Sequence, residues 1–263
     1  PGILASRCVV WLNRGMAKRE AAGPRPGVAL TLALVVGVLV GSMMAWRTPV
    51  ATAHASKGAA VDVTEPVPGV APELVDRLAD VSVRVEASRC DGPVQGSGVL
   101  LDDGLVVTNR HVLGDTTGAR VVLGDGSVRP VEEYRVQNVD DLAVARVEQG
   151  SDRIEGVDPL PAPVEPGDVI IIAGFPGGEP LQVDTGRALG WVDGRHYGVG
   201  PNQVLLTDVD VIGGSSGSGV FDRDGQLLGV VVSRDMATGG AVVIPAALLE
   251  LPNGSTPVGW RLC

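Results

Sequence analysis

An all-β domain of barrel or sandwich type is what the sequence predicts for most of this chain, and three observations predict it. Short runs of β-branched and aliphatic residues recur at close intervals, Asp-Gly turns stand between them, and aromatics make up only 3% of the 263 residues, so the core must be aliphatic. Alternating βα units would need longer helical intervals, and no internal repeat of solenoid length is present.

In chain order, residues 1–27 carry five basic residues and one acidic residue, and residues 28–46 follow as an uncharged apolar stretch of 19 residues. At 1.5 Å per residue that stretch, read as one hydrophobic helix, spans a bilayer, and the basic flank assigns its N-terminal side to the cytoplasm. Small-residue cleavage patterns at Ala51-Thr52-Ala53 and Ala53-His54-Ala55 leave a removed signal peptide as the alternative to a retained anchor. Residues 47–72, rich in Ala, Pro, Thr and Val, predict a flexible linker with a reach of roughly 25–30 Å. Residues 73–263 are then the folded domain. Strands are expected at 81–85, 99–101, 105–108, 120–123 and 142–147, with turns at Asp102-Asp103-Gly104 and Asp125-Gly126. The Pro-rich stretch 157–166 is a poor strand, because proline donates nothing to a ladder, and it reads as a linker between two strand groups. Beyond it, strands are expected at 169–173, 203–207, 227–233 and 241–244, with an Asp224-Gly225 turn.

Three segments carry chemistry. Thr108-Asn109-Arg110-His111-Val112 supplies an imidazole, Asp140-Asp141-Leu142-Ala143-Val144 a carboxylate, and Gly214-Ser215-Ser216-Gly217-Ser218-Gly219 a hydroxyl. A serine hydroxyl becomes a useful nucleophile when an imidazole takes its proton, and the imidazole needs a carboxylate on its other nitrogen to hold the right tautomer. Of the three histidines, His54 falls in the linker and His196 in a Gly-rich loop, so His111 alone stands in such a context. Asp140 competes with Asp141, and Ser215 and Ser218 compete with Ser216. The order His, Asp, Ser and the serine at 218 exclude an α/β-hydrolase, whose nucleophile lies in Gly-x-Ser-x-Gly and precedes its partners.

These motifs resemble the trypsin-like, chymotrypsin-fold serine proteases of bacterial extracytoplasmic type, over residues 80 to 250. The resemblance implies two six-stranded antiparallel β-barrels, about 78–155 and 167–250, and a serine endopeptidase working through an acyl-enzyme. It makes His111 the general base, Asp141 the orienting carboxylate, Ser216 the nucleophile, and the N–H groups of Gly214 and Ser216 the oxyanion hole. It also implies substrate-binding positions at Asp210, Val232 and Ser233. Asp210, six residues before Ser216, would lie at the base of the pocket for the residue preceding the scissile bond, where a dry carboxylate favours Arg or Lys. Ser218-Gly219 departs from the Gly-Pro of many relatives, and no histidine follows Ser216 to support glutamyl specificity. The placement of Cys90 and Cys263 is similar to that in actinobacterial membrane-anchored periplasmic proteases associated with acid and oxidative stress, which pair such cysteines; two free thiols are the alternative. Cys8 lies on the cytoplasmic flank. The 47 residues after Ser216 are too few for an appended PDZ module, so none is expected.

The chain carries a net charge of −10, and beyond residue 27 the balance is about −14, which disfavours nucleic acid and anionic membrane surfaces as partners. The expected partners are protein or peptide substrates, with membrane contact through the N-terminal helix. No metal or organic cofactor is implied. The expected location of the catalytic domain is extracytoplasmic, either on a single-pass anchor or secreted. A trypsin-fold binding or sensor protein with a silent or latent site is the alternative function.

Overall fold

The computed structural model describes residues 67–137, 139–148, 155–159, 163–249 and 256–263. The apolar stretch 28–46 and most of the expected linker lie outside the described residues, among which no helix is long and apolar enough to cross a membrane. All described residues belong to one of the two compact units of the chain, Thr52–Cys263.

The opening element is a helix, α1 (Pro72–Val81), where the sequence reading has a linker end and the start of a strand. Pro72 suits the first helical turn, where its missing N–H costs nothing, and Glu73 complements the helix N-terminus. Leu74, Val75, Leu78 and Val81 form one buried stripe at helical spacing. Arg77 Nη2 donates to Asp224 O at 3.2 Å, tying the helix to a distant turn.

The first barrel comprises β1 (Ser82–Arg89), β2 (Gly92–Leu101), β3 (Leu105–Asn109), β4 (Gly118–Val122), β5 (Val128–Gln137) and β6 (Leu142–Val147). β1 and β2 form a hairpin with Arg89 opposite Gly92, so the turn is Cys90-Asp91. The sheet runs β5-β4-β1-β2-β3-β6 and closes through antiparallel pairing of β5 with β6. The second barrel comprises β7 (Val169–Gly174), β8 (Gln182–Asp193), β9 (Gln203–Asp210), β10 (Gly219–Phe221), β11 (Leu227–Arg234) and β12 (Gly240–Pro245), and closes in the order β7-β8-β9-β12-β11-β10. Closure removes the sheet edges that would otherwise invite pairing with other chains. The two cores are aliphatic as expected, with Tyr134 and Phe221 the largest fully buried side chains. Each buried Val, Leu or Ile contributes about 1.5–3 kcal/mol, so many small side chains here do the work of few aromatic ones.

Between the barrels, Val157 N–H donates to Leu100 O at 3.0 Å and forms an isolated parallel bridge to Leu101. After the second barrel the chain returns to the first. A short strand, β13 (Thr256–Val258), pairs with β5, Trp260 packs on Tyr134 with ring centroids 5.2 Å apart, and Arg261 N–H donates to Thr116 O at 2.8 Å. The Sγ atoms of Cys90 and Cys263 are joined across a sequence separation of 173, tying the β1–β2 turn to the returning segment.

Candidate active site

The site is built from the ends of strands in both barrels. β3 ends at Asn109 and the chain turns at once into a single helical turn, α2 (Arg110–Leu113), which presents His111 with its side chain 43% exposed. Asp141 precedes β6, and β6 pairs with β3 in a register that sets Leu142 opposite Asn109, so the two motif segments arrive side by side. Asp141 takes φ of 56°, a left-handed conformation that aspartate tolerates better than most residues. In that pose its carbonyl accepts Arg110 N–H at 2.8 Å, its Oδ1 accepts His111 N–H at 3.1 Å, and its Oδ2 lies 2.5 Å from His111 Nδ1. An Nδ1–H donating to Asp141 leaves Nε2 as the basic nitrogen. Arg110 Nε stands 3.3 Å from Asp141 Oδ1. On the opposite side Arg89 Nη2 donates to the His111 carbonyl.

Asp140 faces elsewhere. It is buried, and Asn202 Nδ2 donates to its Oδ1 at 2.8 Å, a contact between the barrels that leaves Asp141 as the carboxylate on His111.

Ser216 lies in the loop between β9 and β10, and Ser97 of β2 brings it across from the second barrel. Ser97 N–H donates to Ser216 O at 2.8 Å, Ser97 Oγ donates to Gly214 O at 2.9 Å, and the same Oγ accepts Phe175 N–H at 2.8 Å. Ser97 O in turn accepts from Thr108 Oγ1 at 2.7 Å, one residue from the start of the histidine turn's cap. The fit is tight. A Cβ on Gly96 would lie 2.8 Å from Val112 Cγ2 and 3.0 Å from Ser216 O, and a Cβ on Gly217, where φ is +87°, would lie 2.0 Å from Ser97 O. Glycine at these two positions lets the histidine turn and the serine loop meet.

The candidate oxyanion donors are held by a second brace. Gly177 N–H donates to Gly213 O at 2.7 Å, and a trans planar peptide then directs Gly214 N–H away from Gly177. Neither Gly214 N–H nor Ser216 N–H is spent on an acceptor among the described residues. Ser216 Oγ also makes no hydrogen bond among them, so the Ser216–His111 contact is open; such contacts commonly tighten only when substrate binds. The neighbouring serines are engaged differently: Ser215 Oγ accepts Ile212 N–H at 3.4 Å, and Ser218 is 1% exposed beneath the loop.

Of the expected substrate positions, Val232 and Ser233 lie on β11 at an irregularity in its pairing with β12, with Val232 buried and Ser233 half-buried. Asp210 closes β9. Its side chain is 75% exposed and its Oδ1 is 2.8 Å from Arg234 Nη2, so the dry, unpaired carboxylate expected to favour basic residues is absent there. A partner 24 residues away in sequence supplies the compensating charge, which no local pattern announces. Ser97, Arg89 and Arg110 are the structural residues that sequence reasoning missed. Only Arg110, inside the histidine motif, stood in a segment already singled out.

The trypsin-like peptidase domain matches residues 96–230, slightly more than half of the chain and enough to contain both barrels' contributions to the site. The chain is 32% identical over 182 residues to a probable periplasmic serine endoprotease, DegP-like, of Brucella suis, covering 63% of this chain and 34% of that protein. It is 29% identical over 204 residues to serine protease MT3772 of Mycobacterium tuberculosis, covering 70% of this chain and 48% of that protein. The chain thus spans about a third to a half of the length of these relatives. Among solved structures it is similar to the serine endoprotease from Yersinia pestis, with a TM-score of 0.60 and 26% identity over 70% of this chain and 65% of that one. With two closed barrels, a histidine–aspartate pair from one, a glycine-flanked serine from the other and a domain match spanning both, the chain belongs to the trypsin-like peptidase family.

Proposed function

We propose that the protein is a serine endopeptidase that cleaves extracytoplasmic proteins through an acyl-enzyme, with His111, Asp141 and Ser216 as its catalytic residues. The observation that carries this reading is the His111 Nδ1–Asp141 Oδ2 contact of 2.5 Å set beside the Ser216 loop by Ser97. His111 Nε2 takes the Ser216 proton as Oγ attacks the substrate carbonyl. The developing oxyanion is received by Gly214 N–H and Ser216 N–H, and the imidazolium then protonates the leaving amine. Water, deprotonated by His111, resolves the ester. Asp141 keeps the proton on Nδ1 throughout and stabilises the imidazolium. Labelling of Ser216 by a fluorophosphonate probe in the full chain tests the reading; a protein that is folded but unlabelled would favour the latent or binding alternative, for which the open Ser216–His111 contact is the relevant observation.

The brace at Ser97 gives a second expectation. Ser97→Ala removes the partner of Gly214 O and of Phe175 N–H, orphaning two interior groups at about 1–3 kcal/mol each. Turnover should fall by about 10- to 100-fold, somewhat less than the loss of an oxyanion donor outright. Unchanged kcat would show that the loop holds its shape without Ser97.

Export of the catalytic domain is supported by the periplasmic description of the Brucella relative and by the basic flank followed by residues 28–46. An oxidising compartment also suits a Cys90–Cys263 disulfide. Closing so long a loop stabilises the fold by at most about 5 kcal/mol in chain-entropy models. Non-reducing peptide mapping of protein recovered from its exported compartment should find the two cysteines in one cross-linked peptide pair, and two free thiols would remove the claim. The acidic balance of the exported part favours protein substrates over nucleic acid.

A further inference from the structure

If the peptidase reading on which this inference rests is correct, the Asp210–Arg234 pair, at the ends of β9 and β11, borders the segment that leads into the nucleophile loop. β11 leaves the nucleophile loop at Val231, whose carbonyl accepts Gly217 N–H at 2.8 Å and whose N–H donates to Ser218 O at 2.9 Å. β10 pairs with β11 only as far as Val230, so beyond Val231 that edge of β11 is open while β12 covers the other. An extended peptide added to the open edge from Val232 to Arg234 would direct the residue beside the scissile bond into the gap between that edge and the 210–216 segment.

Two charged side chains meet at the ends of β9 and β11. Arg234 Nη2 donates to Asp210 Oδ1 at 2.8 Å, and Arg234 Nε donates to Gly239 O at 3.0 Å, so the guanidinium is anchored at both ends. Gly239 makes room for it: a Cβ there would lie 2.7 Å from Asp210 Oδ1 and 2.8 Å from Arg234 Nη2. The adjacent carboxylate, Asp235, is turned away and accepts from Thr238 Oγ1 at 2.7 Å. Two residues beyond Asp210, Ile212 is 62% exposed and adds an apolar side chain beside the pair.

Solvent-exposed ion pairs contribute little to stability, so this one has no strong structural purpose. Its consequence is for recognition. We propose that Arg234 is a specificity-determining residue: its guanidinium occupies the Asp210 carboxylate as a basic substrate side chain would, so that Arg and Lys before the scissile bond are refused and uncharged side chains accepted. A basic side chain entering the gap meets a carboxylate already satisfied and a like charge beside it.

The test is cleavage of a peptide library varied at the residue before the scissile bond by the full chain and three variants, with fluorophosphonate labelling read in parallel. The wild type should cleave poorly after Arg and Lys. Arg234→Gln should raise kcat/KM for Arg or Lys relative to uncharged residues by about 10-fold or more, the scale of one charged hydrogen bond. Asp210→Asn, which leaves Arg234 unpaired, should instead gain cleavage after Asp or Glu, and the double variant should lose both gains. A wild type that prefers Arg or Lys, or labelled variants with unchanged ratios, would overturn the role of Arg234 alone. A folded wild type that neither labels nor cleaves overturns the peptidase reading and this inference with it.

Discussion

Replacing Ser216 by alanine is expected to abolish fluorophosphonate labelling and to lower turnover by about 10⁶-fold, since the covalent path disappears and only binding and oxyanion stabilisation remain. Ser218→Ala should keep substantial activity and full labelling at Ser216. The contrast is informative because the two hydroxyls are two residues apart yet differently placed: Ser218 is buried beneath the loop, and a Cβ at Gly174 would lie 1.8 Å from its Oγ, so no substrate carbonyl can approach it without rearrangement. Ser216 is half-buried, with its Oγ uncommitted. Mass-spectrometric location of the adduct decides between them, and modification at Ser218 with Ser216 dispensable would refute the assignment.

Asp141→Asn is expected to lower kcat by about 10⁴-fold while leaving the fold intact, because an amide at this position can hold the imidazole in the wrong tautomer. Both carboxylate oxygens are engaged, Oδ1 by His111 N–H and Oδ2 by Nδ1, so the turn that carries His111 and the protonation of its ring depend on one side chain. Asp140→Asn perturbs only the contact to Asn202 and should cost far less activity. Comparing kcat for the two variants by burst kinetics separates the roles. A larger loss in Asp140→Asn would transfer the orienting role to it.

Much of this was legible in the chain itself. Strands such as β6, β7, β11 and β12 announce themselves as aliphatic runs because each is buried for most of its length, and the candidate triad segments are readable because each packs its chemistry into five or six consecutive residues. β5 and β8 were not readable. β5 carries Pro130, Arg129, Glu132, Glu133 and Arg135, and β8 carries Gly186, Gly190 and three charged residues; both expose many of their side chains, so their strand character comes from the ladders they complete rather than from their own composition. α1 was obscured because its apolar positions run directly into β1.

By itself the sequence determined the all-β class, the aliphatic cores, the order of the candidate triad and the cysteines available for pairing, because each is written in residue types that are neighbours along the chain. Tertiary structure alone decided that Ser97 would tie both loops together from the opposite barrel and that Asp210 would be neutralised by Arg234. Those outcomes depend on groups tens to more than a hundred residues apart, such as Ser97 and Gly214 at a separation of 117. A hydrogen bond or ion pair acts over a few ångströms of space and is indifferent to distance along the chain, so it becomes definite only when barrel closure has set the register.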